Sequence, residues 1–519
     1  MTPKIILVHP PVAKPSEPPA GIARLSACLT ANRVLHQVID ANLEGILYLL
    51  HAVAKANRPS GKWDVRACKN LESNLDALRS IGTFRDKSRY SRAVRDVNHV
   101  LKLSGPPPGI NLSLSDYTDS KRSPVKSADL IQAAENPEAN PFYPYFSERL
   151  TQALAASPDY IGFSLNFLSQ ALCTMAMIGF VKRIHPRQKI ILGGSLTTSW
   201  VQIIGRTDLF PGLVDQVVAG AGEKKLLELS GVKNAQNGFS TDYSLLMENR
   251  YLSPGFILPY SAARGCWWQK FAFCPEKAEA NPYLPLPYAH VTEELQTLVH
   301  QTRPSLIHLL DSSIAPALLK TLIEQPPGAP WYGFVRVTRH LTDEAFCRAL
   351  RKSGCVMLKL GMESGDQAVL DALNKGIDLQ EVSAALRSLH KAGIAAYGYF
   401  LFGTPPENEA AAGKTLDFMR RHSGCIDFLN LAIFNLPAAS PEAKSLATQD
   451  FYEGNLSLYK SFHHPGGWQR QNVRNFIDKI IKKHPAIVPI VSRTPEFFTS
   501  NHAPFFTFQN NSFPSIDKT

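Results

Sequence analysis

The sequence predicts an α/β protein: a doubly wound parallel sheet, then a partial barrel of six βα units, then a small C-terminal extension. Three observations carry this. Short β-branched runs ending in glycine or small polar residues recur in both halves, the pattern of strands buried on both faces. Helical patterns fall between them, and strand–helix alternation argues for parallel pairing. The length of 519 residues is enough for two or three cores.

The elements follow in order. Ile5–Val8 reads as a strand, Gly21–Thr30 as a helix and His36–Asp40 as a second strand. Tyr160–Ser164, a helix over Leu172–Ile184, Lys189–Gly194 and Asp215–Gly220 complete the first sheet, whose ligand face is expected at the carboxyl ends of its strands. Residues 55–145 interrupt it. They are rich in Pro, Ser, Asn and charge, with Gly105-Pro106-Pro107-Pro108-Gly109 and Ser123-Pro124. That is too long for a crossover, so an insertion with some helix is expected, a lid or an interface arm. The second block, about 250–440, gives strands at Phe256–Ser261, Leu306–Leu310, Trp331–Val337, Val356–Gly361, Ala396–Phe402 and Phe428–Phe434. Thr342–Lys352 and Leu379–Ala392 are among its helices, and chemistry is expected at the carboxyl ends of its strands. The domains are therefore drawn at 1–230, 250–440 and 441–519. The last holds a helical stretch at Asn472–Lys483 and a Pro- and Phe-rich end, read as a cover over the barrel mouth or as an unstructured end.

Hydrophobic residues make up 44% and charged residues 19%, ordinary for a globular chain. No apolar run reaches the length of a membrane span, and the apolar run near the amino terminus is too short for a signal peptide, so a cytoplasmic protein is expected. The net charge of +11 is spread out, with no basic–aromatic alternation, so no nucleic-acid partner is expected. Eight cysteines are scattered unlike a disulfide framework. Only Cys266 and Cys274 share a loop.

That loop, Arg264-Gly265-Cys266-Trp267-Trp268-Gln269-Lys270-Phe271-Ala272-Phe273-Cys274-Pro275-Glu276, follows the first barrel strand. Thiolates satisfy iron and apolar neighbours keep out water. It resembles the cluster loop of the radical S-adenosylmethionine (radical SAM) superfamily, R-G-C-x-W-x-x-C-x-F-C-P-E. The resemblance implies Cys266 and Cys274 as ligands of a 4Fe–4S cluster and Phe273 beside the cofactor. Phe271 stands where the family has its middle cysteine, and phenylalanine cannot ligate iron. Cys347, Cys355, a carboxylate or a substrate thiolate would have to complete the set.

The other strand ends fit the same family. Gly361-Met362-Glu363-Ser364-Gly365 resembles its G-x-E-S-G element, implying Glu363 and Ser364 at the S-adenosylmethionine ribose or amino-acid moiety. Gly398-Tyr399-Phe400-Leu401-Phe402-Gly403-Thr404-Pro405-Pro406-Glu407 resembles its G-x-I-x-G-x-x-E element, implying Gly398, Gly403 and Glu407 near the adenine. By position Asp311 would meet the cofactor's ammonium and Arg336 its carboxylate. The amino-terminal half resembles the Rossmann-like cobalamin-binding domain that precedes the barrel in one subgroup. There Pro11, Ser164, Asn166, Gly193, Gly194, Ser195, Gly220 and Glu223 fall in loops where a corrinoid would lie. The D-x-H-x-x-G motif that supplies a cobalt-ligating histidine elsewhere is absent.

The resemblance implies a cobalamin-dependent radical SAM-type enzyme, transferring a methyl group or rearranging a radical on an unidentified substrate. An electron donor such as a flavodoxin or ferredoxin would serve it. With one thiolate missing, a non-catalytic paralogue that binds a corrinoid, a small molecule or a partner enzyme stays open beside it.

Overall fold

The computed structural model describes residues 4–56, 61–104, 108–236, 239–495 and 502–509. Gly105, Pro106 and Pro107 of the predicted proline turn, and 496–501 and 510–519 of the Phe-rich end, lie outside them.

The first sheet has β1 (Ile5–Val8), β2 (His36–Ile39), β3 (Tyr160–Ser164), β4 (Lys189–Gly193) and β5 (Gln216–Val218). All pairs are parallel, in the order β2-β1-β3-β4-β5. Every residue of β1 is buried, as a central strand covered on both faces requires. The order reverses between β1 and β3, which opens a crevice at the carboxyl edge. Helices Ala20–Ala31, Leu168–Ile184 and Ser195–Ile204 make the crossovers.

The insertion is neither a lid nor an arm but a large part of the first core. Helices Lys62–Lys69, Leu71–Arg79, Lys87–Leu103, Ser127–Glu135 and Tyr143–Leu154 pack beneath the sheet. Leu71, Leu75 and Leu78 form one apolar stripe, and Tyr90, Val94, Val97 and Leu101 a second. Each such side chain taken from water contributes about 1.5–3 kcal/mol, so a segment polar in composition still packs through its helical period. Asp86 caps the helix Lys87–Leu103 by accepting from the Ser88 and Arg89 amides.

The second sheet runs β6 (Ile257–Tyr260), β7 (Leu306–Leu309), β8 (Trp331–Val335), β9 (Cys355–Glu363), β10 (Ala395–Phe402) and β11 (Phe428–Ile433). Its strands pair in sequence order, all parallel, as an open six-stranded half-barrel. Ile307, Leu309, Leu358, Leu360 and Ala396 meet the outer helices. Leu306, Tyr332, Met357, Tyr397 and Phe428 face inward.

The C-terminal extension closes both ends. Helix Ala503–Gln509 packs against the first residues of the strands, with Ala503 beside Ile257, Leu306 and Ala395. At the other end Trp468 and Val473 lie over the β10 turn. No helix of the described residues is long and apolar enough to cross a membrane.

Candidate functional site

A cavity of about 570 Å³ separates the carboxyl edge of the first sheet from the cysteine loop and upper rim of the barrel. Of the residues predicted to meet a corrinoid, Ser164, Asn166, Gly193, Gly194, Ser195, Gly220 and Glu223 line it. Pro11 does not; it is buried in the loop after β1. The wall is flat by construction. A Cβ added at Gly21 or Gly220 would meet nothing within 4 Å and would project into the space. Gly194, at φ +109°, carries the β3 and β4 loops into contact, since a Cβ there would sit 2.3 Å from the Leu165 carbonyl. Asn166 holds those loops in shape: its Oδ1 accepts from the Ser195 amide at 3.1 Å and its Nδ2 donates to Ser164. Among the described residues, no histidine lines the cavity.

The two domains are tied across this cleft by an ion pair and a hydrogen bond. Glu223 accepts from Arg24 Nε at 2.8 Å and from Arg264, the first residue of the cysteine loop. Burial opposes its charge, yet Arg264 and Arg24 together hold the carboxyl below its ordinary range. Ser199 donates to Glu279, on the loop's far side.

Inside the loop, Gly265 and Phe273 take positive φ and turn the chain sharply. Cys266 and Cys274 are both partly buried, and burial raises the Cys274 thiol above its ordinary value. Between them, Phe271 packs on Ala272, Val369 and Leu373, and the Lys375 ammonium sits 4.7 Å from its ring centre. Lys375 also donates to Glu363 Oε1 at 2.8 Å. The place of the middle ligand therefore belongs to a packed ring and a cation. Among the described residues no group of three His, Cys, Asp or Glu side chains could hold a metal ion. Cys355 opens β9 while Glu363 ends it, about 26 Å away at strand rise. Cys347 is buried behind the sheet with its thiol on the Leu341 carbonyl. Neither reaches the loop, so a cluster held by three protein thiolates does not fit these residues.

The strand ends divide into two sets. Asp311, Arg336 and Glu363 share one rim with the loop. Asp311 accepts from the Ala262 amide at 3.1 Å, and burial pushes its carboxyl up to about 6. The Arg336 guanidinium stacks 3.6 Å from the Trp268 ring centre and donates to the Lys375 and Gly376 carbonyls. Burial brings it down to about 10, and its Nε has no partner among the described residues. Ser364, Gly398, Gly403 and Glu407 instead face packed neighbours away from the cavity. Ser364 meets Thr415 Oγ1 at 3.2 Å. The Cα of Gly398 lies under the Met362 methyl. Glu407 accepts from the Gly403 amide and the Trp468 indole, the latter at 3.2 Å. Phe273 stacks edge-on to Phe434, 5.2 Å between centres.

Lys375 and a Glu17–His308–Lys359 cluster on the inner barrel wall, with Lys359 buried and the other two partly buried, were missed from sequence. One signal was available: a lysine inside the apolar run Val356-Met357-Leu358-Lys359-Leu360.

Comparison with known proteins agrees with this geometry. Residues 308–419 match the family model of the Radical SAM superfamily. The radical S-adenosylmethionine methyltransferase TsrM from Kitasatospora setae, solved with tryptophan substrate and a SAM analog, superposes with a TM-score of 0.56 at 14% identity, over 98% of this chain and 95% of that one. The cobalamin-dependent S-adenosylmethionine radical enzyme OxsB superposes at 0.52 and 14% identity, over 98% of this chain and 61% of that one. Bacteriochlorophyllide d C-12(1)-methyltransferase from Chlorobaculum tepidum is 38% identical over 72 residues, 14% of this chain and 16% of that protein. An uncharacterized methyltransferase from Pyrococcus horikoshii is 22% identical over 304 residues, 51% of this chain and 64% of that protein. The chain thus spans less than two thirds of each of these two curated relatives. The match to the Radical SAM superfamily model is confined to part of the second block. The two-domain fold of the chain is the one seen in cobalamin-dependent members of that superfamily.

Proposed function

We propose that the protein is a cobalamin-dependent methyl-transfer enzyme of radical SAM architecture, acting in the cytoplasm on a small-molecule or peptide substrate. The observation that carries this is the glycine-walled cleft between the first sheet and the cysteine loop. Bound there, cobalamin would supply a cobalt centre able to accept and donate a methyl group, while the protein orients and excludes water. Asn166 and Ser195 would help to hold it, Gly21 and Gly220 would leave it room, and the Glu223 clasp would keep the barrel beside it.

S-adenosylmethionine would be held by Arg336, through its carboxylate, and by Asp311, through its ammonium. Glu363 would have to release Lys375 before meeting the cofactor. No step is assigned to an iron–sulfur cluster, because only two thiolates face the loop. That same observation favours a second reading, a corrinoid-binding paralogue without radical chemistry. If a cluster does assemble, a flavodoxin- or ferredoxin-like electron donor would serve it.

The test is Gly21→Leu. Gly21 lies in the first turn of a helix, open to the cavity, so the change leaves folding intact while filling the corrin space. Titration with hydroxocobalamin, followed by visible absorbance, should give tight binding to the native chain and at least about tenfold weaker binding to the variant. Equal binding to both, or no binding to either, rejects the reading.

A further inference from the structure

The insertion carries a second cavity, of about 550 Å³, that shares no residue with the corrinoid cleft. Its size lies within the range of small-molecule sites, ~300–1,000 Å³. One wall is a face of the helix Lys87–Leu103, whose opposite side fills the first core with Tyr90, Val94 and Val97. Lys87, Ser91 and Arg95 recur along it at a spacing of four, with Ser88 and Arg92 in the next row. Such spacing places side chains on one helix face. The helix Lys62–Lys69 supplies the other wall through Trp63 and Arg66.

The two walls are joined by a buried carboxylate. Asp96, 4% exposed, accepts on one oxygen from the Trp63 indole at 2.8 Å and from the Arg66 guanidinium at 3.1 Å. Sharing that oxygen holds the Arg66 fork at the edge of the Trp63 ring. His99 stacks on the indole, with 3.7 Å between ring centres and 5° between planes, and is itself fixed by Asp64 at 2.8 Å. Trp63 nonetheless keeps 46% of its surface exposed. Arg66, Lys87, Arg92 and Arg95 line the space against the single carboxylate of Asp96, with Lys87 steadied by the Ser492 carbonyl. Like charges gathered in this way repel one another, and an anion among them replaces that repulsion with attraction. Guanidinium forks match pairs of phosphate oxygens, and an exposed indole accepts a flat base by stacking. The excess of cations over carboxylate suits more than one phosphate.

We propose that the insertion binds a nucleoside di- or triphosphate, its base on the exposed side of Trp63 and its phosphates on Arg66 and Arg92, with Lys87 and Arg95 adding charge. The site stands apart from the methyl-transfer reading, since neither uses a residue of the other.

Calorimetric titration of the full-length chain with ATP, tripolyphosphate and adenosine, in the absence of divalent metal, tests it. ATP should bind at least about tenfold more tightly than either of the other two. Trp63→Leu should bring ATP down to the tripolyphosphate level and leave tripolyphosphate unchanged. Arg92→Gln, at an exposed position that folding does not need, should weaken both ATP and tripolyphosphate by at least about threefold, and more so at low salt. Equal affinity for ATP and tripolyphosphate in the native chain overturns the proposal, since that marks a site for any polyanion. ATP binding that is absent from the native chain, matched by adenosine, or unchanged in both variants also overturns it. Hydroxocobalamin titration of the same samples keeps the two readings separate. Gly21→Leu should lose the corrinoid and keep ATP, and Arg92→Gln should do the reverse.

Discussion

Glu407 illustrates how one buried group can set a pH dependence. Its Oε2 accepts two hydrogen bonds, but its Oε1 is buried without a partner among the described residues. Burial pushes the carboxyl from an ordinary 4.5 up to about 7. A raised carboxyl favours folding while protonated, so its contribution is complete below 4.5 and is lost as pH rises through about 7. Glu407→Gln, which keeps the shape and removes the charge, should melt higher than the native chain near pH ~8 and show a flatter melting curve against pH between those limits. Phe271 makes a second residue-scale case. Phe271→Cys puts a thiol where the family has one, at the expense of the Lys375 contact. After anaerobic incubation with iron and sulfide, the variant should gain the broad absorbance of thiolate-bound iron and more iron per chain than the native protein. A native chain that already takes up about four irons would disprove the account of the vacant position.

At the scale of elements, the insertion and the C-terminal helix are the parts whose packing composition concealed. Tyr90, in the helix Lys87–Leu103, is fully buried, its ring edge-on to Phe505 of the C-terminal helix at 4.8 Å. Its hydroxyl has no partner among the described residues, and burial raises the phenol well above its ordinary value. Removing an unsatisfied hydroxyl relieves a desolvation cost, so Tyr90→Phe should stabilise the chain by about 1 kcal/mol in a urea melt. Phe505→Ala should do the opposite, by about 3–5 kcal/mol, because it empties the contact between Phe84 and Tyr90. The strands of the two parallel sheets, in contrast, were legible to within about two residues at each end, while the short antiparallel strands such as Ile110–Leu112 and Tyr459–Phe462 were not. Runs such as Ile5–Val8 and Ala396–Phe402 have only one way to bury both faces. The stripes at Leu71–Leu78 and Tyr90–Leu101 were legible in principle through their period, but Pro, Ser and charged neighbours hid them.

For the whole molecule, two cores share one cap. Phe505 belongs to the core of the first sheet, while Ala503, two residues earlier, sits in the barrel wall. Truncation after Pro495 should therefore separate the single calorimetric transition expected of the full chain into two, or lower it by at least about 2–4 °C. Sequence alone determined the two parallel sheets and the cysteine loop, because burial on both faces and thiolate spacing are local properties of a chain. It also marked the departure at Phe271, since no arrangement in space gives that side chain a metal-binding atom. The tertiary structure decided what those local features meet. Lys375 fills the neighbourhood of Phe271 from a turn about a hundred residues away. Glu17 crosses a domain boundary to pair with His308. Ser364 and Glu407 turn toward neighbouring helices rather than the cavity. Such pairings depend on long-range closure of the chain, where charge, volume and solvent exposure are fixed together and leave no periodic trace in the residues themselves.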